Sequence, residues 1–238
     1  RLVKDDPRVQ LDFNSIAKGY TVDLVESAVA TAAGAGADIS KPDGHLVIDI
    51  GGGTTEVAVV SLGGVVESES IKTAGDAFDE AIVRYVRRKH NILIGKRTAE
   101  ELKIGIACLV PRAEVGIQEV KGRCLTTGLP KSVKISSVEL VEAIAEPARD
   151  ILETIHMVLE RTPPELVADV AQNGIIMAGG GSLIYGFDQL VEKDTGIRTT
   201  VVDDALSCAA FGSGKMLMNL NDMQDGMVNL ARKRQMKA

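Results

Sequence analysis

Apolar positions in this chain change their spacing along its length, and the changes mark out the elements. Leu46-Val47-Ile48-Asp49-Ile50 is short, rich in β-branched residues and almost continuously apolar, the pattern of a strand covered on both faces. Val57 to Val60 and Val65-Val66 follow across Ser61-Leu62-Gly63-Gly64, which predicts a three-stranded meander with tight turns. The period then becomes helical. Over 76–89 the apolar residues Ala77, Phe78, Ala81, Ile82, Tyr85 and Val86 recur at three and four, and Arg87, Arg88 and Lys89 give the last turn a charge suited to the helix dipole. A shorter helical pattern covers 97–106, with Thr98 and Glu101 spaced as a capping box.

Strand-like patterns return at 119–123 and 132–136, about a Gly128-Leu129-Pro130 turn. Ser137 is the expected cap of a long helix whose stripe includes Leu140, Ile144, Ile151, Ile155 and Val158, with Pro147 as the expected kink. Thr162-Pro163-Pro164 ends that helix and opens another over 165–171. The pattern closes with a strand over 175–178, a helix over 183–193, a strand over 198–202 and a helix over 204–218. Strands alternating with helices in this way predict a layered α/β domain with a largely buried sheet.

Composition narrows the function classes. The 238 residues are 45% hydrophobic with a formal charge of -6, a balance suited to a globular domain that needs no staples. There is no apolar run of about 18 residues and no signal-peptide core, so the expected compartment is the cytoplasm. The chain begins with Arg, which points to a fragment or a trimmed chain. An acidic balance with no Trp, three Tyr and four Phe offers neither the field nor the stacking platform that nucleic-acid binding needs. Cys108, Cys124 and Cys208 match no metal-ligand spacing and are expected to stay reduced, and His45, His90 and His156 lie scattered. The polar stretch 222–238 reads as a tail or solvated helix.

Two glycine clusters carry the candidate chemistry. In Asp49-Ile50-Gly51-Gly52-Gly53-Thr54-Thr55 a carboxylate ends a buried strand, three glycines follow, and two hydroxyls precede the next strand. Such a hairpin lets backbone N–H groups approach a phosphate, while Asp49 can hold the hydration shell of Mg²⁺. It is not a Walker loop, since no Gly-Lys-Ser/Thr and no helix follow, and the same residues would also suit a plain glycine-rich hairpin. In Met177-Ala178-Gly179-Gly180-Gly181-Ser182-Leu183 a strand runs through glycines into an expected helix, whose N-terminus would face a nucleotide.

These segments, together with Gly75-Asp76-Ala77-Phe78-Asp79-Glu80-Ala81-Ile82 and Arg161-Thr162-Pro163-Pro164-Glu165-Leu166, resemble the MreB family of bacterial actins from about Gly34 to Lys215. The resemblance implies an actin-like ATPase fold with a ribonuclease H-like sheet, mainly its second domain: a core over 34–94 and 136–218, an inserted subdomain over 95–135, a leader over 1–33 and a tail over 219–238. It implies an ATP- and Mg²⁺-binding filament protein that organises cell-wall synthesis and rod shape. The implied partners are copies of itself, wall-synthesis and membrane-associated morphogenesis proteins, and a peripheral membrane surface. Gly51, Gly52, Gly53, Thr54 and Thr55 match the family's second phosphate loop, Asp49 its Mg²⁺-water ligand, and Gly180, Gly181, Ser182 and Leu183 its adenosine loop. Glu100 and Lys103 match the pair beside the ribose and adenine.

The pattern departs from the family at two places. Nothing before Gly34 resembles a first phosphate loop, and the position of the catalytic Glu falls on Ser27, with Ala28 where a Pro is expected. ATP turnover by this chain is therefore left open. Residues 9–25, which include Asp12, Lys18, Gly19, Tyr20 and Asp23, resemble a flavin-dinucleotide segment of ApbE-type FAD:protein FMN transferases. A helix behind an Asp or Asn cap accounts for the same residues. Three readings follow: an incomplete nucleotide site of the MreB type, a purely structural filament module, and a flavin transferase.

Overall fold

The computed structural model describes residues 27–218. Segment 9–25 and the polar tail from 222 onward lie outside them. A first helix, α1, covers 27–34 of the described chain. The meander follows as β1 (His45–Ile50), β2 (Thr55–Ser61) and β3 (Gly64–Ile71). Leu62 and Gly63 both have positive φ, 49° and 68°, so two residues close the β2–β3 hairpin with the right-handed twist that such turns favour.

Five strands form the main sheet in the order β3-β2-β1-β7-β8, with β7 at Ile175–Ala178 and β8 at Thr199–Val201. The β1, β2 and β3 pairings are antiparallel, whereas β7 runs parallel to β1 and β8 to β7. Alternation along the central strands explains their unbroken apolar sequence. Leu46, Ile48, Ile50, Val57 and Val59 join the large core on one face, and Val47, Ala58 and Val60 pack with Ala28, Val29 and Ala32 of α1 on the other. Helix α7 (Cys208–Met218) lies beside α1, where the Cys208 thiol donates to Thr31 O and Lys215 Nζ to Ala33 O.

The large core is closed by α2 (Gly75–His90), α4 (Ser137–Arg161) and α6 (Phe187–Thr195). Phe78 of α2 and Phe187 of α6 are fully buried and meet edge to face, with ring centroids 6.1 Å apart. A second, three-stranded sheet joins β4 (Ile92–Leu93), β5 (Ile117–Cys124) and β6 (Pro130–Ser136), with α3 (Lys96–Ile106) inserted between β4 and β5. Helix α5 (Pro164–Asn173) starts one residue before the expected Glu165 and takes Pro164 into its first turn.

Helix starts are where the sequence reading needs correction. The cap of α3 is Gly95, with no side-chain cap, so Thr98 and Glu101 form no capping box. The cap of α4 is Ser136, one residue earlier than expected, because its hydroxyl lies three positions before a Glu and can close a reciprocal box with Glu139. The chain continues helically through Pro147. The expected helix over 183–193 is instead a single 3-10 turn, Gly180–Leu183, followed by a break and α6. Gly186 has φ 78° and sits at the cap of α6, which forces the restart there. The last helix begins at Cys208 after a turn over 203–207.

Glu139 carries a testable acid sensitivity. Its carboxylate accepts from Ser136 N and Oγ at 2.9 Å each, and lies 2.8 Å from His90 Nε2 and 3.3 Å from Lys89 Nζ at the end of α2. Burial alone would raise its pKa, but the Ser136, His90 and Lys89 contacts win and bring it to about 2. A depressed carboxylate stabilises the fold above its unfolded pKa and loses that contribution as pH falls towards about 2. Wild type should therefore lose about 2 kcal/mol more than Glu139→Gln between pH 5 and pH 2.5. Urea unfolding across that range measures it, and parallel acid limbs would refute the assignment.

Candidate functional site

Strand direction brings the two glycine clusters together. Because β1 and β7 are parallel and Asp49 pairs with Ala178, both glycine segments leave the same end of adjacent strands. Ligands of open α/β sheets bind at this kind of strand end. A cleft of about 580 Å³ opens there, and Asp49, Gly51, Gly52, Gly180, Gly181 and Leu183 line it together with Glu100 and Lys103. Eight of the twelve residues proposed from sequence therefore meet at one cavity.

The remaining four do not line it. Thr55 is fully buried, and its hydroxyl donates to Thr73 O at 2.7 Å, so that oxygen holds the chain ahead of α2. Ser182 is buried too, donating to Gly179 O at 2.7 Å, and serves to shape its own turn. Gly53 and Thr54 follow Gly52 in the same hairpin, next to the residues that line the cavity.

Backbone bonding in the first loop has a clear direction. Gly51 and Gly52 spend their carbonyls on the N-terminus of α2, accepting from Gly75 N at 3.0 Å and Asp76 N at 2.7 Å. The N–H groups of Gly52, Gly53 and Thr54 donate to nothing among the described residues, and neither do those of Gly180 and Gly181. Unpaired N–H groups on two facing loops form a concavity suited to an anion. Gly179 makes the approach possible: it has φ 80°, and a side chain there would overlap Asp49 and the Ile50 carbonyl. The expected helix N-terminus at this cluster is absent, so its N–H groups act as a turn and carry no helix dipole.

Carboxylates crowd the other side. Asp49 follows Val47 on the α1 face of the sheet, and Thr31 Oγ1 donates to it at 3.4 Å. Burial pushes the Asp49 carboxyl up, with the Thr31 bond offsetting part of the effect. Glu56, its register partner on β2, is also pushed up by burial, against a bond from Ser27 and with the Asp49 charge adding to the rise. One Glu56 oxygen is buried without a partner among the described residues. Sequence reading passed over Glu56; the antiparallel pairing of Asp49 with Glu56 across the hairpin was the available signal. Ser27, aligned by resemblance with the family's catalytic Glu, thus stands beside a carboxylate supplied by β2.

The α3 face corrects the weight given to Lys103. Its ammonium lies 2.9 Å from Asp79 Oδ1 and donates to Gly75 O at 3.0 Å, with the two side chains 13% and 8% exposed. The Asp79 contact lies off the hydrogen-bonding direction, so that oxygen gains charge compensation without a directed donor. Burial still raises the Asp79 carboxyl despite Lys103. Lys103 accordingly ties α3 to α2 under the cleft, while Glu100 is exposed at its edge. Gly75, Ile104, Arg112, Tyr185 and Leu206 also line the cavity, and of these only Gly75 falls in a segment that the sequence singled out.

A family model described as MreB/Mbl protein matches residues 12–225. The chain belongs to the MreB/Mbl family. That MreB/Mbl match begins inside the segment resembling a flavin transferase and takes in most of it. The cell shape-determining protein MreB of Escherichia coli K12 is 46% identical over 203 residues, 85% of this chain and 58% of the relative. The cell shape-determining protein Mbl of Bacillus cereus is 44% identical over 203 residues, 85% of this chain and 61% of the relative. The chain thus spans about three fifths of these relatives' length. Among solved structures, MreB5 of Spiroplasma citri bound to ADP superposes with a TM-score of 0.81 at 39% identity, covering 84% of this chain and 61% of that one. A MamK double helical filament follows at 0.67 and 25%, covering 81% and 58%. The actin-like α/β fold expected from the sequence is present.

Proposed function

We propose that this chain binds a magnesium-nucleotide complex of the ATP class as part of an MreB-type filament protein. The observation that carries the reading is the pair of glycine loops, set on parallel strands, whose N–H groups at Gly52, Gly53, Thr54, Gly180 and Gly181 lack partners among the described residues. Phosphate oxygens would take those donors. Glu100, exposed at the cleft edge, suits ribose hydroxyls. The related MreB5 structures hold ADP and AMPPNP, which supports the same ligand class here.

Asp49, which lines the cleft, and its strand neighbour Glu56 together suit Mg²⁺. Asp49 and Glu56 are neighbouring carboxylates pushed up by burial, and Glu56 keeps an orphaned oxygen. A hydrated cation shared with the phosphates, reached by one or two carboxylates, is the usual Mg²⁺ arrangement. Such an ion would neutralise phosphate charge; the protein's own contribution is to orient the phosphates by backbone donors.

Self-association is the second part of the proposal. The MamK relative is a filament, and the curated relatives are named for determining cell shape. The proposal extends to wall-synthesis and membrane-associated morphogenesis proteins as further partners. No helix among the described residues is long and apolar enough to cross a membrane.

Titration calorimetry with Mg-ATP, Mg-ADP and, in parallel, FAD tests the ligand. We expect both adenine nucleotides to bind with Kd on the order of micromolar, about -8 kcal/mol. Heat from FAD alone would replace this reading with the transferase one. Sedimentation that depends on protein concentration and ignores nucleotide would favour a purely structural module.

A further inference from the structure

Two side chains outside both glycine clusters, Arg112 and Tyr185, line the cleft as a stacked pair. Arg112 lies in the loop after α3, with its guanidinium carbon 4.5 Å from the centroid of the Tyr185 ring. The segment leading to Arg112 is fastened to Tyr185: Leu109 N donates to Tyr185 O at 2.9 Å, and Cys108 and Tyr185 form a parallel bridge. Arg112 Nη2 donates to Ala107 O at 3.0 Å, which fixes the plane of the guanidinium.

The rest of that guanidinium is not used by the fold. Nε is enclosed without an acceptor, and no carboxylate among the described residues forms an ion pair with it. An arginine that only held two loops together would be expected to satisfy more of its five donors. Instead it lies on an aromatic face at the wall of a cavity. Lining the same cavity are Ile104, Leu183 and Leu206, apolar side chains that are 76%, 56% and 76% exposed. Large apolar groups left open beside a flat cation complement a ligand with an apolar face and acceptor-bearing edges. A nucleobase has both.

We propose that Arg112, held flat on Tyr185, is the wall on which the nucleobase seats, so that this pair makes the cleft prefer base-bearing nucleotides over bare polyphosphate. The inference rests on the nucleotide reading above and adds to it the residues that recognise the base. Arg112 acts here through its planar shape as much as its charge. Lysine, a hydrated point charge, cannot stack in the same way.

Calorimetry on the full chain, with Mg-ATP and Mg-tripolyphosphate as the two probes, tests the proposal. Arg112→Ala, Arg112→Lys and Tyr185→Leu should each weaken Mg-ATP by about tenfold while changing Mg-tripolyphosphate by less than about twofold. Equal losses for both probes, or a lysine variant that binds Mg-ATP like the wild type, would reduce Arg112 to a plain charge and overturn the proposal. Emission offers a second readout, because the chain has three Tyr and no Trp. Tyrosine emission should change on adding Mg-ATP and not on adding Mg-tripolyphosphate, and Tyr185→Leu should lose that response; an unchanged response in the variant would overturn the proposal as well. Failure of the unaltered chain to bind Mg-ATP at all would remove the nucleotide reading, and this inference with it. Thermal melting of each variant separates these outcomes from loss of fold.

Discussion

Gly52→Val should leave the fold intact and weaken Mg-nucleotide binding by about a hundredfold, roughly 2.7 kcal/mol. Nothing lies within 4 Å of the position its Cβ would take, and its φ is not in the left-handed region, so no clash or backbone strain opposes the substitution. The same open space is where a phosphate would have to approach. The Gly52, Gly53 and Thr54 N–H groups are unpaired among the described residues, and a branched side chain at the loop keeps an oxyanion beyond bonding distance of them. Losing one or two charge-assisted bonds at about 1.5 to 3 kcal/mol each accounts for the size of the effect. Binding heats and melting midpoints measured together decide the matter. Unchanged affinity in a folded Gly52→Val would rule out this loop as the phosphate site.

Lys103→Met should destabilise the chain by about 3 to 5 kcal/mol, because it strands the buried carboxylate of Asp79. The two side chains are 13% and 8% exposed, too enclosed for water to take over the pairing. Asp79 is already pushed up by burial with Lys103 present, so without it the protonated form is the accessible state. A raised carboxyl pKa means stability that is present at low pH and lost as pH rises through the folded value. The loss in Lys103→Met relative to wild type should therefore be smaller at pH 4 than at pH 7. Adding Asp79→Asn should recover much of the loss, since the uncompensated charge goes with it. Urea unfolding of the single and double variants measures all of this. A single variant as stable as the wild type at pH 7 would mean that Lys103 is not a tie between α2 and α3, and would return it to the role of a free ligand group.

Much of the site was legible along the chain because its chemistry is local. Asp49 followed by three glycines needs only a strand end and a turn, and both form from neighbouring residues. Sheet and helix periods gave the elements for the same reason. Errors fell at helix starts, where single residues compete: Ser136 displaced Ser137 because only Ser136 is spaced to pair with Glu139. The run after Gly179 carried helical spacing, yet the left-handed Gly186 divides it into a turn and a separate helix.

By itself the sequence determined the α/β class, both glycine loops and membership of a family with recognisable motifs, since each rests on short-range pattern or direct similarity. Tertiary structure decided which of those residues face the cavity. Thr55 and Ser182 turned inward to backbone carbonyls, and Lys103 was claimed by Asp79. Glu56 reached Asp49 across a hairpin, and Arg112 reached Tyr185 from 73 positions away in the sequence. These outcomes depend on burial and on partners brought from distant segments. A side chain's spacing shows what it can bond to locally, but what it does bond to is set by which competing donors and acceptors the packed chain places within reach.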